Sequence, residues 1–150
     1  MTEMMLILNQ LNIVARDFDA TIEFYRRLGV AVTVAPGPAD GIRHARAALP
    51  GGFALEFDND TLARTYNAAW RRAEGSSRAV INFSLPTRAA VDQRYAELVA
   101  AGYEAKQPPY DAFWGARYAI VSDPDGNDVG LMSPPDETRR TWPPAESPSP

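Results

Sequence analysis

One feature of the sequence limits the fold more than any other: the chain repeats itself. Ile13, Tyr25 and Leu28 recur as Phe83, Tyr95 and Leu98, each seventy positions on, while Leu55 and Phe57 recur as Val129 and Leu131, each seventy-four positions on. An offset that stays constant within each stretch and changes once is what two copies of one unit with a few inserted residues produce. Any admissible fold must therefore place the same supersecondary unit twice.

The unit can be read from its periodicities. Met4 to Val14 alternates as a strand, and Asp17 or Asp19 caps a helix whose stripe is Ile22, Tyr25 and Leu28, closed by Gly29. Ala31 to Ala35 reads as a second strand, and Pro36 to Gly41 as a loop. Arg43 to Leu49 and Phe53 to Asp58 are two more strands, joined at Pro50-Gly51-Gly52. A helix from Asp60 to Arg72, with Leu62, Tyr66, Ala69 and Trp70 at helical spacing, and a linker at Gly75-Ser76-Ser77 lead into the second copy. There a strand begins at Val80, Thr87 caps a helix ending at Gly102, and Arg117 to Val121 and Val129 to Ser133 form a hairpin about Asp123-Pro124-Asp125-Gly126-Asn127. The expected fold class is α+β. Two tandem β-α-β-β-β modules, about residues 5–60 and 78–134, joined by the helix and linker at 60–77, make one domain over 1–134. A four-stranded sheet covered on one face needs its twin to close the other, so neither module is a complete domain by itself and a concave sheet cleft is expected. Residues 135–150, with Pro135, Pro143, Pro144, Pro148 and Pro150, are expected to be a disordered tail.

Composition narrows the function. The chain has 150 residues, 45% hydrophobic, and no cysteine, which excludes disulfides and thiolate metal sites. No apolar run approaches the ~20 residues of a membrane span. The N-terminus has no basic stretch ahead of its short apolar run, so a cytoplasmic protein is expected. A net charge of -4 argues against nucleic acid and mildly favours a cationic ligand.

The tandem units, the Phe24-Tyr25-x-x-Leu28-Gly29 helix end and the closing Asp-Pro-Asp-Gly-Asn hairpin resemble the vicinal-oxygen-chelate superfamily, which includes glyoxalases, extradiol dioxygenases and bleomycin-resistance proteins. Within it, Tyr95 to Leu131, together with Gly51-Gly52, Phe57-Asp58, Tyr66 and Trp70, is most similar to antibiotic-binding resistance proteins of the mitomycin-binding type. The resemblance implies four metal-ligand positions in the metal-dependent members, and here these carry Gln10, Glu56, Val80 and Gly130. Valine and glycine have no side-chain donor, so no metal and no other cofactor is expected, and neither glyoxalase nor dioxygenase activity. His44 is read as an exposed or loop residue.

Strand alternation then assigns the cleft. If Leu11, Ile13, Leu55, Phe57, Ile81, Phe83, Val129 and Leu131 face the helices, then Gln10, Asn12, Glu56, Asp58, Asn82 and Met132 face the concavity, with Gly130 leaving room. Phe113, Trp114, Tyr110 in the preceding loop, and Trp70 supply aromatic surface for a planar or cationic ligand. Each has a plainer alternative: Trp114 as core or dimer contact, Trp70 as helix core, Glu56 and Asp58 as solvated strand-end charges. The leading expectation is a metal-independent homodimer that binds and sequesters a small aromatic or cationic molecule such as an antibiotic, without catalysis. The alternative is a metal-independent enzyme of the same superfamily, with Glu56 or Asp58 as general base.

Overall fold

Alternating apolar residues with tight turns between them give eight strands, and two longer stretches, the first strongly amphipathic and both opened by a side-chain cap, give helices that pack on the sheets. The computed structural model describes residues 7–36, 41–75, 77 and 79–142. The expected loop at 37–40, the start of the first strand at 4–6, Ser76 of the linker and the proline-rich end at 143–150 lie outside the described residues. In chain order the elements are β1 (Gln10–Ala15), α1 (Phe18–Leu28), β2 (Thr33–Val34), β3 (His44–Ala48), β4 (Ala54–Asn59), α2 (Asp60–Tyr66), β5 (Val80–Ser84), α3 (Arg88–Ala100), β6 (Ala105–Asp111), β7 (Arg117–Ser122) and β8 (Asp128–Met132). They form two units, divided between Glu74 and Gly75. Each holds one four-stranded mixed sheet, ordered β1-β4-β3-β2 in the first and β5-β8-β7-β6 in the second, so the α+β tandem repeat is present.

In the first unit β1 runs parallel to β4, with Asn12 level with Glu56 and Ile13 with Phe57. Asp17 starts α1 by accepting a hydrogen bond from the Ala20 amide at 3.0 Å, and Gly29 ends it at φ 115°, a conformation costly for any residue with a Cβ. The helix buries Phe18, Ile22, Phe24, Tyr25 and Leu28. Tyr25 packs on Phe57 with ring centroids 5.0 Å apart, and Ala45, Ala47 and Leu55 are buried too. Each large side chain taken from water here is worth about 1.5–3 kcal/mol. Leu11, expected with Ile13 in the core, is instead 40% exposed, because β1 is an edge strand covered by the helix only at its later residues. The second strand shrinks to Thr33 and Val34.

The helix after β4 also differs from expectation. Asn59, not Asp60, caps it by accepting from the Leu62 amide at 3.1 Å, and it stops at Tyr66. The Asn67 side chain then accepts from the Ala69 amide, a local bond that competes with helix continuation, so Trp70 falls beyond the helix and Ala63 is its only buried residue.

In the second unit α3, capped by Thr87 on the Ala90 amide, buries Val91 and Leu98, and the sheet buries Ala119, Val121, Val129 and Leu131. Ile81 and Phe83 of the edge strand β5 are half-buried rather than fully enclosed. Pro108 and Pro109 sit inside β6, a position tolerated because β6 is the other edge strand, and its pairing with β7 is irregular there. Tyr110 therefore lies on a strand, level with Tyr118, and not in a loop. In the closing turn the buried Asp123 carboxylate accepts from the amides of Asp125 and Asn127 and from Asn127 Nδ2 at 2.8–2.9 Å, while Gly126 takes φ 86°.

Residues 134–142, most of them expected to belong to the tail, return along this unit. They contain a 3-10 turn at Glu137–Arg139, and the amides of Thr141 and Trp142 donate to the Phe113 carbonyl at 2.8 and 3.3 Å. Gly115, at φ 94°, makes this possible, since a Cβ there would collide with the Asp136 carbonyl. No helix among the described residues is long and apolar enough to cross a membrane.

Candidate functional site

The expected site residues fall into two sets, one on each unit. On the first unit, antiparallel pairing puts His44 level with Asp58 and Arg46 level with Glu56, so four ionisable side chains share the sheet face opposite α1. The His44 ring lies between the two acids: Nδ1 is 2.8 Å from Asp58 Oδ1 and Nε2 is 2.8 Å from Glu56 Oε2. Asp58 Oδ2 also accepts from Asn12 Nδ2 and from the Tyr66 hydroxyl, both at 2.8 Å, and Arg46 donates to Glu56 Oε1 at 3.0 Å. Gln10 extends the row by donating to Asn12 Oδ1. Glu56 Oε2, although close to the imidazole, is outside hydrogen-bond geometry and has no hydrogen-bond partner among the described residues.

The distribution of exposure in this cluster sets its chemistry. The side chains of Glu56 and Asp58 are 6% and 1% exposed, whereas His44 is 34% and Arg46 58% exposed. The acids are thus buried under the bases, contrary to the reading of them as solvent-facing cleft charges. His44 is correspondingly a partnered strand residue and not a loop residue. A buried carboxylate without partners would be costly, and here Glu56 has the Arg46 guanidinium while Asp58 accepts from Asn12 and Tyr66 beside the His44 ring. Desolvation pushes the Tyr66 hydroxyl up to about 12, its hydrogen bond to Asp58 and the Asp58 charge adding to the effect. That desolvation is confined to the hydroxyl end, for Tyr66 as a residue is 55% exposed.

Trp70 is not part of this network. Its half-buried ring carries the guanidiniums of Arg64 and Arg72 at 5.3 and 5.4 Å from the centroid, both of which also reach the Asp60 carboxylate.

On the second unit the candidates do come together. Rings follow one another from Trp142 to Phe113 (5.3 Å), Phe113 to Trp114 (4.9 Å), Trp114 to Tyr118 (5.1 Å) and Tyr118 to Tyr110 (6.3 Å). Trp114 Nε1 lies 3.3 Å from Met132 Sδ, and the Tyr118 hydroxyl donates to Asn82 Oδ1 at 2.7 Å. Burial, more than the nearby Tyr110 and Asp128, raises the Tyr118 hydroxyl above the usual phenol range. Phe113, Tyr110 and Trp142 keep 45%, 38% and 62% of their surface exposed, an aromatic ledge open to a ligand. The space expected at Gly130 is already taken: a Cβ there would collide with Asn82 Oδ1 and come within 2.7 Å of the Tyr118 hydroxyl. Glycine is needed at 130 so that the Tyr118–Asn82 bond can cross over it.

The donors do not suit a divalent ion. Of the four positions that the family resemblance assigns to ligands, Val80 and Gly130 lack donor atoms, Glu56 is engaged by Arg46, and the Gln10 amide is turned onto Asn12. His44, Glu56 and Asp58 meet one another rather than a common point, and no three His, Asp or Glu side chains among the described residues are placed to hold a metal. His44, Arg46, Tyr66 and Tyr118 are the site residues that sequence reasoning missed. Alternation alone puts His44, Arg46 and Ala48 on one face, but only the β3–β4 register shows which acids they meet.

Solved structures share this architecture. A glyoxalase/bleomycin resistance protein/dioxygenase from Nocardioides is similar over 88% of this chain and 85% of its own, with 24% identity and a TM-score of 0.68. A glyoxalase-related enzyme from Fulvimarina pelagi covers 87% and 89%, at 18% identity and a TM-score of 0.71. A lactoylglutathione lyase from Agrobacterium tumefaciens covers 85% and 92%, at 18% identity and a TM-score of 0.59. At these identities the likeness is one of fold. No curated protein matches the chain. The family described as the Glyoxalase/Bleomycin resistance protein/Dioxygenase superfamily matches residues 7–131, five-sixths of the sequence and both repeats, and the chain belongs to it.

Proposed function

We propose that the protein is a metal-independent small-molecule binder that sequesters an aromatic natural product, in the manner of the resistance branch of its superfamily. The observation that carries this reading is the run of rings from Trp142 through Phe113 and Trp114 to Tyr118 and Tyr110, flat apolar area held at fixed angles with little left to order on binding. The half-buried Trp114, fixed by Met132 and two neighbouring rings, is the anchor. The protein acts in the cytoplasm as a homodimer, the assembly that the likeness to the resistance branch implies. The alternative, a metal-independent enzyme with Glu56 or Asp58 as general base, has less support, since both acids are buried and already in contact with His44, Arg46 or Tyr66.

Titration with planar aromatic antibiotics tests this. A bound ligand should quench tryptophan fluorescence and be recovered unchanged, and Trp114→Ala should weaken binding by about 1–3 kcal/mol, roughly fivefold to over a hundredfold. Turnover of a bound compound, abolished by Glu56→Gln at unchanged affinity, would overturn the reading in favour of the enzyme. Light scattering that finds a monomer would remove the dimer.

A further inference from the structure

The first unit carries a second recessed space that the aromatic ledge does not use. A cavity of about 480 Å³ lies along β2 and β3, lined by Thr33, Val34, Pro36, His44, Arg46 and Ala48 among others. Its walls are mostly small and apolar, and its charged groups are basic: the acids beneath, Glu56 and Asp58, do not line it. We propose that this cavity is an anion-recognising subsite, taking a carboxylate joined to a compact apolar body, with Arg46 as its specificity-determining residue.

Three observations converge on this. Arg46 commits one nitrogen, NH1, to Glu56 Oε1, and it stays 58% exposed. A guanidinium has five N–H donors, so the edge turned to the cavity keeps a fork matched to a carboxylate. Thr33, level with Arg46 on the neighbouring strand, adds a hydroxyl at the same depth. Finally, Glu56 and Asp58 are buried against the inner side of His44 and Arg46 and do not line the cavity, so an arriving ligand contacts the two basic side chains and not the acids. An arriving anion meets Arg46 and His44 first, whereas an amine would have to displace both to reach an acid. The sign of ligand preferred here is thus opposite to the one suggested by the net charge of -4. What decides the preference is contact rather than net charge, since the free edge of the Arg46 guanidinium can reach a ligand in the cavity and the acids do not line it.

The subsite goes beyond the sequestration reading and is tested apart from it. Benzoate, benzamide and benzylamine share one shape and differ in charge, and each can be titrated into the full chain while the backbone amides of Thr33, Val34, Arg46 and Ala48 are followed by NMR. Benzoate should shift these amides saturably and bind at least about tenfold more tightly than benzamide, with benzylamine not binding, the margin expected of a charge-assisted fork. Arg46→Gln should erase the preference, and Arg46→Lys should keep part of it. Glu56→Gln should tighten benzoate severalfold by removing the charge that competes for Arg46, so the wild-type ranking and this variant decide the matter even if Arg46→Gln fails to fold. Equal binding of benzoate and benzamide, a preference for benzylamine, no saturation, or shifts confined to other residues would each overturn the subsite. Fluorescence quenching at the tryptophans is a separate readout, so the aromatic ledge and the anion subsite can fail independently.

Discussion

The two units run the same strands in the same order, yet beyond a shared asparagine the equivalent positions on the two sheets are ionisable in one and, but for a phenol, apolar in the other. In the first, Asn12, His44, Arg46, Glu56 and Asp58 share a face, and in the second the same positions hold Asn82, Tyr118, Ile120, Gly130 and Met132. The registers coincide: His44 is level with Asp58 as Tyr118 is with Met132, and Arg46 with Glu56 as Ile120 is with Gly130. One face neutralises buried acids with overlying bases, while the other packs a phenol over a glycine and surrounds it with rings. The two units share a backbone and differ on the sheet face away from the helix, so the repeat predicts architecture and not ligand chemistry. The helices diverge as well, since Phe24 is fully buried in α1 and its counterpart in α3 is Arg94.

Substitutions on the two faces can break or sharpen this contrast. The largest effect is expected for Asp58→Ala, which strips His44, Asn12 and Tyr66 of a shared acceptor. Urea unfolding should show a loss of about 3–5 kcal/mol, as when one member of a buried ionic cluster is removed. A loss below about 1 kcal/mol would mean that the first face is no tighter than a surface ion pair. Gly130→Ala should be next, at about 1–3 kcal/mol, because the new methyl group must part Tyr118 from Asn82 in a packed sheet. A neutral outcome would show the second face to be loose.

The smallest effect is a titration. Spectroscopic difference between the wild type and Tyr66→Phe should place the Tyr66 phenol near 12, and Asp58→Asn should bring it down toward the ordinary value of about 10. The folded form holds the proton more tightly than the unfolded chain. This contribution to stability is therefore intact below pH ~10 and is lost as pH rises from there toward 12. On the second unit the exposed Asp111, which accepts from Arg88 and from Arg117, is lowered chiefly by the Arg88 hydrogen bond, so acidification through the range of that carboxylate should loosen the edge it ties down.

Much of this was legible from residues alone. The repeat offsets gave both sheets, and Asp17, Gly29 and Thr87 act as the caps their types suggested, because capping is local chemistry. The Asp123–Asn127 turn closes as read, for the same reason. What failed was non-local or competitive. The helix expected to reach Arg72 lost to the Asn67 turn, and β6 was hidden by prolines that only an edge position allows. The role of His44 depends on a partner fourteen residues away, across a loop whose length does not set the register. Trp114, Phe113, Tyr110, Asn82 and Met132 gather as a set because four of the five lie on or beside the hairpin strands and β5 pairs directly with β8. Trp70 does not join the polar set because its helix ends early.

The return of residues 134–142 over Gly115 has a kinetic consequence for the ledge. Thr141 and Trp142 fasten their amides to Phe113, and Asp136 fastens its own to Gly115, so the lip bearing Phe113 and Trp114 is stapled by the end of the described chain. A ligand that fits the rings as they stand can associate at a rate that rises in proportion to its concentration. One that needs Phe113 to turn must wait for the staple to open, and its observed rate will level off at the opening rate however much ligand is added. A single residue without a side chain, Gly115, thereby sets whether this surface behaves as an open shelf or as a gated one.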